Sequence, residues 1–67
     1  MKREGKFKAG DMVCWHIDEE VVGLIVEVRH SLGGNFMYGV FWYFSQTTTY
    51  QDEGLLLPYN NRFTHAV

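Results

Sequence analysis

The stretch Gly-Val-Phe-Trp-Tyr-Phe occupies residues 39–44 and contains four consecutive aromatic residues. Successive side chains of a strand point to opposite faces, so a strand here carries large apolar groups on both faces. A small antiparallel sheet usually buries only one face against its core. The stretch therefore predicts a central strand, and it raises the question of what its second face contacts.

Length and composition limit the kind of protein that this chain can be. It has 67 residues, of which 46% are hydrophobic and 16% aromatic. This length allows one domain, the apolar content is typical of a globular protein, and the aromatic content favours strands. So short a chain has little material left to build a deep cleft. We therefore expect a non-enzymatic protein without a cofactor.

Charge is distributed unevenly along the chain. The formal net charge is −2, yet the first eight residues contain four cations and one carboxylate. We divide the chain into a basic leader (1–8), a β body (9–58) and a polar tail (59–67). A protein that binds nucleic acid normally carries Lys and Arg on its binding face, and the acidic body lacks them.

Nucleic-acid binding remains an alternative that depends on the leader. In that hypothesis aromatic side chains of the third strand (Trp42, Tyr43 or Phe44) stack on bases while the leader grips phosphates. The cations of the leader are Lys2, Arg3, Lys6 and Lys8.

The sequence contains few indications of the cellular location or redox chemistry of the protein. Cys14 is the only cysteine, so no intramolecular disulfide forms. No apolar run approaches the roughly 20 residues that span a bilayer, and no hydrophobic segment follows the N-terminal charges. We expect a cytoplasmic protein that does not contact a membrane.

Apolar residues alternate with a period of two along most of the chain, which is typical of strands. Polar or glycine-containing turns separate the alternating segments, and Gly33 and Gly34 mark a hairpin. The predicted strands are 11–17, 22–30, 36–44, 48–51 and 56–58, with one helical turn at 52–55.

Hairpin geometry predicts which side chains face inward. Centring the first hairpin on Glu19 and Glu20 places Trp15 opposite Leu24, and centring the second on the two glycines places Leu24 opposite Trp42. The predicted inward set is Val13, Trp15, Ile17, Leu24, Val26, Val28, Tyr38, Val40 and Trp42.

The opposite face then carries an apolar stripe with Met12 and Met37 near it. The stripe consists of Cys14, Ile25, Phe41 and Tyr43. Three alternatives account for what covers this stripe: the tail folds back with Tyr59 and Phe63, a second copy docks there, or an unlike partner binds. We expect the protein to bind a partner or itself through this stripe and the aromatic end of the third strand. The predicted partner-binding residues are Cys14, His16, Ile25, Phe41, Tyr43 and Phe44.

The sequence contains only weak indications of metal binding or catalysis. Cys14 and His16 lie two residues apart and point to the same face, but no Cys-x-x-Cys pair accompanies them. The same pair lacks a third group that would orient a nucleophile. The carboxylates at 18–20 lie in a solvated turn, where acid–base work is not favoured. We expect neither a metal site nor a catalytic residue.

Four segments together resemble the SH3-like small β-barrels, the Tudor and KOW group especially. They are GDMVCW (10–15), GLIVEV (23–28), YGVFW (38–42) and YQDEGLLLP (50–58). The likeness covers about residues 9–58 and implies an all-β, five-stranded small barrel with a short helical turn before the last strand. The chain also resembles short barrel proteins of marine tailed phages and environmental sequences, which implies action in the host cytoplasm or the virion.

The Tudor-like resemblance further implies an aromatic cage that holds methylated lysine or arginine by cation–π attraction. The matching positions are His16 or Ile17, Val21 or Val22, Trp42, and Phe44 with Ser45. The KOW-like resemblance implies contact with RNA or protein through basic loops. Our leading expectation is a protein-interaction module, with methyl-lysine recognition and nucleic-acid binding as alternatives.

Overall fold

The computed structural model describes residues 5–59. The described chain is all-β, and its five strands and short 3-10 turn confirm the predicted element order. The elements are β1 (Met12–Trp15), β2 (Val22–His30), β3 (Phe36–Trp42), β4 (Thr47–Asp52), the 3-10 turn (Glu53–Leu55) and β5 (Leu56–Pro58). The strand β2 has the predicted bounds, whereas β1 and β3 each end two residues earlier than predicted.

All five strands form one antiparallel sheet in the order β4-β3-β2-β1-β5. The strands β1 to β4 pair consecutively as hairpins, and β5 returns across the sheet to lie beside β1. Within residues 5–59 the edge strands β4 and β5 do not pair with each other. The sheet is therefore open, and the prediction of a closed barrel is not met.

A β-bulge in β2 makes the side chains of part of that strand face the side opposite to the one predicted. Val28 lies opposite Tyr38 as predicted, but the register shifts between Ile25 and Glu27. A bulge inserts one extra residue and so reverses the alternation of faces beyond it. Ile25 is consequently in the core at 1% exposure, and Val26 is 47% exposed. The predictions that Val26 faces inward and Ile25 outward are wrong.

The first hairpin turns earlier than predicted. The backbone N–H of Trp15 donates to the carbonyl of Val21 at 2.9 Å, which closes the loop before β2 begins. Val13 therefore lies opposite Gly23. Ile17, predicted to face inward, is in this loop and 75% exposed.

Because of this register, Leu24 lies on the opposite face of the sheet from the one predicted. It pairs with Met12 and Phe41, whose neighbours in sequence, Val13 and Val40, are completely buried. Paired residues of antiparallel strands share a face, so Leu24 lies on the face opposite the core. The predicted inward position of Leu24 is wrong.

The core lies on one face of the curved sheet. The predicted inward positions of β3 are confirmed, since Tyr38, Val40 and Trp42 are at most 5% exposed. Trp15 and Val21 are half-buried and pack against this core. The core consists of Phe7, Val13, Ile25, Phe36, Tyr38, Val40, Trp42 and Leu56.

Phe7 joins this core although the sequence analysis assigned it to the leader. Its ring packs edge-on to Tyr38 with the centroids 5.4 Å apart. Its backbone N–H donates to the Tyr38 hydroxyl at 3.2 Å, and that hydroxyl donates to Glu53 Oε2 at 2.8 Å. The backbone N–H of Lys6 donates to the same carboxylate oxygen at 2.7 Å. These bonds attach the segment before β1 to the helical turn before β5.

Candidate functional site

An open groove lies on the core side of the sheet, between the β1–β2 loop and the strand β4. Its volume is about 540 Å³. We call it the groove. The side chains that line it are Trp15, Ile17, Asp18, Val21, Trp42, Phe44, Ser45, Thr47, Thr49 and Gln51.

The indole of Trp42 forms the base of the groove. Trp42 is 5% exposed, and Trp15 packs edge-on to it with ring centroids 5.9 Å apart and planes at 90°. The Trp42 Nε1–H donates to Thr49 Oγ1 at 2.8 Å, and Gln51 Nε2 donates to the same oxygen at 2.9 Å. The indole N–H is thus already satisfied, which leaves the base of the groove largely apolar.

Exposed apolar and acidic side chains form the rim of the groove. Ile17 and Phe44 are 75% and 73% exposed. Asp18 Oδ1 accepts the backbone N–H of Glu20 at 3.0 Å, which fixes its carboxylate in the loop. Within the described chain no Lys or Arg lines the groove. An apolar wall beside a carboxylate suits a side chain that is apolar along its length and cationic at its end.

The groove brings together several positions that the Tudor-like resemblance identified. Ile17, Val21, Trp42, Phe44 and Ser45 all line it.

His16 is exposed and contacts Trp15 edge-on, with ring centroids 4.8 Å apart, but does not line the groove. The contribution of Trp15 and β4 to the groove was not predicted from the sequence. The alternation of Thr47, Thr49 and Gln51 along one strand face was the available signal.

The opposite side of the sheet carries a second apolar surface. Cys14 pairs with Val22 and Leu57, and Leu24 pairs with Met12 and Phe41, so these residues share the face away from the core. We call this surface the outer face. It comprises Met12, Cys14, Val22, Leu24, Phe41, Tyr43 and Leu57.

The predicted partner-binding residues do not form a single surface. Phe41 and Tyr43 lie on the outer face and pack edge-on with ring centroids 5.6 Å apart, whereas Phe44 lies at the groove. Ile25 is in the core because of the bulge. Cys14 does lie on the outer face, paired with Val22 and Leu57, but it is only 4% exposed. The expectation that Cys14 and Ile25 are exposed is wrong.

A polar cluster occupies the far end of the same side of the sheet. Tyr50 donates to Glu27 Oε1 at 2.6 Å, and Arg29 Nε donates to Glu27 Oε2 at 2.9 Å. The Arg29 guanidinium also lies 4.4 Å from the centroid of the Tyr50 ring. The hydrogen bonds from Tyr50 and Arg29 lower the pKa of Glu27 below its ordinary value of 4.5. This cluster gives the outer face a charged boundary at one end.

The basic leader is only partly described. Lys2 and Arg3 lie outside the described residues, as do the tail positions beyond Tyr59. Lys6 and Lys8 are exposed. Residues 5–59, which include Lys6 and Lys8 of the leader, carry three Lys and Arg side chains against seven carboxylates, so the described part of the chain is acidic.

Two further features were sought among the described residues: a metal-binding group of side chains and a membrane-spanning helix. No group of three or more His, Cys, Asp or Glu side chains within residues 5–59 is arranged to hold a metal ion. The same residues contain no helix that is long and apolar enough to cross a membrane. Comparison of the chain with family models, curated proteins and solved structures gives no match.

Proposed function

We propose that the protein is a small, non-enzymatic protein-interaction module that accepts a side chain of its partner in the groove. The observation that supports this proposal is an open cavity with an indole base and two exposed apolar side chains, Ile17 and Phe44, at its rim. Its volume of about 540 Å³ lies in the range of ligand-binding clefts. The strand order and the helical turn before β5 support an SH3-like fold of Tudor type in an open form.

The chemistry of the groove favours a cationic side chain. Trp15 and Trp42 supply aromatic surface, Asp18 supplies a negative charge, and the described body is acidic. A lysine or arginine buries its methylene groups on such a wall and keeps its charge near the carboxylate. Methylation increases the apolar surface of the cation, so methylated lysine or arginine belongs to the same ligand class. The acidity of the body disfavours nucleic acid.

A peptide titration tests the groove. The probes are short peptides with one central lysine, unmodified or trimethylated, and a matched peptide with glutamate in its place. We expect the lysine peptides to shift the indole N–H resonances of Trp15 and Trp42 and the glutamate peptide to leave them unchanged.

Phe44 and Tyr43 offer a matched pair of variants, because they are adjacent and exposed but lie on opposite sides of the sheet. Phe44→Ser should weaken lysine-peptide binding at least about tenfold, since the apolar area of a phenyl ring is worth about 1.5–3 kcal/mol when buried. Tyr43→Ser should bind as the wild type does. Resonance shifts confined to the outer face, or no binding by any peptide, would contradict the proposal.

A second candidate function is association through the outer face, with another copy or an unlike protein. The supporting observation is that Met12, Tyr43 and Leu57 remain 37–46% exposed on one contiguous apolar surface. Sedimentation at several concentrations tests the homotypic form. We expect Phe41→Glu to abolish a concentration-dependent dimer, and a strictly monomeric wild type would remove the homotypic form of this candidate.

The resemblance to short phage proteins supports a proposal about origin as well. We infer a phage-encoded module that acts in the host cytoplasm or in the virion. A neighbouring cluster of tail or head genes would support this origin, and a chromosomal neighbourhood without phage genes would contradict it.

A further inference from the structure

The strand β4 is an edge strand without the features that usually protect an edge. It is six residues long, pairs with β3 without a bulge, and contains no Pro, Lys or Arg. The other edge, β5, has three residues and ends at Pro58. Long, regular edges pair readily with further strands, whereas short edges and proline prevent such pairing. The two edges of this sheet therefore differ in their capacity to accept a strand.

Hydrogen-bond directions identify which β4 groups face outward. The backbone N–H of Tyr43 donates to Val22 in β2, so the backbone groups of Tyr43 point toward β2. These directions alternate along an antiparallel strand, so the backbone N–H and C=O groups of Trp42 and Val40 point toward β4.

In β4 itself, the residues that pair with Trp42 and Val40 are Thr47 and Thr49. Their backbone N–H and C=O groups therefore point back toward β3. Thr48 and Tyr50 direct their backbone N–H and C=O groups to the free edge, and these groups have no hydrogen-bond partner among residues 5–59.

The side chains of the same strand line the groove. Thr47, Thr49 and Gln51 all face it. A strand added at this edge lies about 4.8 Å from β4, and its side chains opposite Thr49 point to the same face. A long side chain at that position reaches over Thr49 toward Trp42 and Phe44.

We propose that an extended, basic segment of a protein partner adds to the edge of β4 as a further strand and inserts one side chain into the groove. This inference rests on the proposed function and specifies its mode of binding. Main-chain hydrogen bonds to Thr48 and Tyr50 supply affinity in this mode, and the pocket for one side chain supplies specificity.

Charge favours a basic segment over a second copy of the chain. Asp52 is the only charged residue of β4, and Asp18 lies on the rim of the groove. A second copy of β4 carries no cation to place near either carboxylate. A six-residue edge alone also buries less area than the roughly 1,200 Å² typical of a stable dimer.

Amide hydrogen exchange provides the direct test. The probe is a peptide of about nine residues in which threonine and valine alternate around one central lysine. We expect the amides of Thr48 and Tyr50 to exchange at least about tenfold more slowly when the peptide is bound. The amides of Thr49 and Gln51, which point toward β3, should change little.

Two variants at one position supply the control. Thr48→Pro removes an edge N–H, whereas Thr48→Ala removes the same side chain and keeps that N–H. Thr48→Pro should weaken peptide binding about 3- to 10-fold relative to Thr48→Ala, as expected for one hydrogen bond. The exchange measurement on the wild type stands even if the proline variant does not fold.

The outcomes separate this inference from the proposed function. If the lysine peptide binds and Phe44→Ser weakens it, but the edge amides do not slow, strand addition is wrong and the groove proposal stands. If no peptide binds, both fail. If the edge amides slow with protein concentration alone, a second copy occupies β4, and the inference of a basic partner segment is overturned.

Discussion

Replacing Gly23 by alanine tests the packing between β2 and β3 beneath the groove. A Cβ atom at Gly23 would lie 2.5 Å from Val40 Cγ1, 2.9 Å from Trp42 Cε3 and 3.0 Å from the carbonyl oxygen of Phe41. Val40 is completely buried, so its side chain has no open space to enter, and the Phe41 carbonyl belongs to the strand backbone. The added methyl group must therefore displace Trp42 or separate the strands.

The magnitude follows from two opposing effects. Overpacking a core by a methyl group costs about 1–3 kcal/mol. Removing a glycine stabilises the folded state by about 0.4–1 kcal/mol through the unfolded chain. We expect a net loss of about 1–2 kcal/mol in the free energy of unfolding. Because a domain of this size has only about 3–5 kcal/mol in total, the loss is a large fraction.

Thermal unfolding followed by circular dichroism measures this effect. The melting temperature of Gly23→Ala should fall by about 4–8 °C for each kcal/mol lost. Gly33→Ala is the matched control, since a Cβ atom there meets only Ser31 Oγ at 3.9 Å. Displacement of Trp42 should also reduce binding in the groove. A Gly23→Ala protein that melts at or above the wild-type temperature would refute the inferred packing.

Two further predictions concern polar groups of the described chain. Tyr38→Phe removes the hydroxyl that accepts the buried Phe7 N–H, and we expect it to lower the free energy of unfolding by about 1–3 kcal/mol in urea titrations; an unchanged midpoint would show that this hydroxyl does not stabilise the fold. Because the pKa of Glu27 is lowered in the folded state, its contribution to stability is present above pH 4.5 and is lost as the pH falls through the lowered pKa. The melting temperature of Glu27→Gln should accordingly depend less on pH than the wild type across that range, and parallel curves would contradict the role of the cluster with Tyr50.

Much of the fold follows from local sequence. Alternation and turn residues predicted five strands, the hairpin at Gly33 and the helical turn, because these signals act over a few residues. The inward parity of β3 was also predictable, since Val40 and Trp42 alternate with no irregularity. The bulge beside Ile25 was not, because the inserted Val26 is as apolar as a core residue. Nothing in that stretch distinguishes the inward from the outward side chain.

The candidate site was less predictable for a related reason. Trp42 and Phe44 were identified as binding positions, and both line the groove. The outer face was expected, but the bulge and the earlier first turn put Leu24 in the place expected for Ile25. The contribution of Thr49 depends on pairing between β3 and β4, which composition alone does not set.

The anchoring of Phe7 has a practical consequence for preparing the protein. A chain trimmed at residue 9 to discard the basic leader would lack an aromatic ring of the core and would leave the Tyr38 hydroxyl without the N–H that it accepts. An affinity tag with a cleavage site should therefore end before Gly5. Chains truncated on either side of Phe7 should differ sharply in yield of folded material, although both keep every strand.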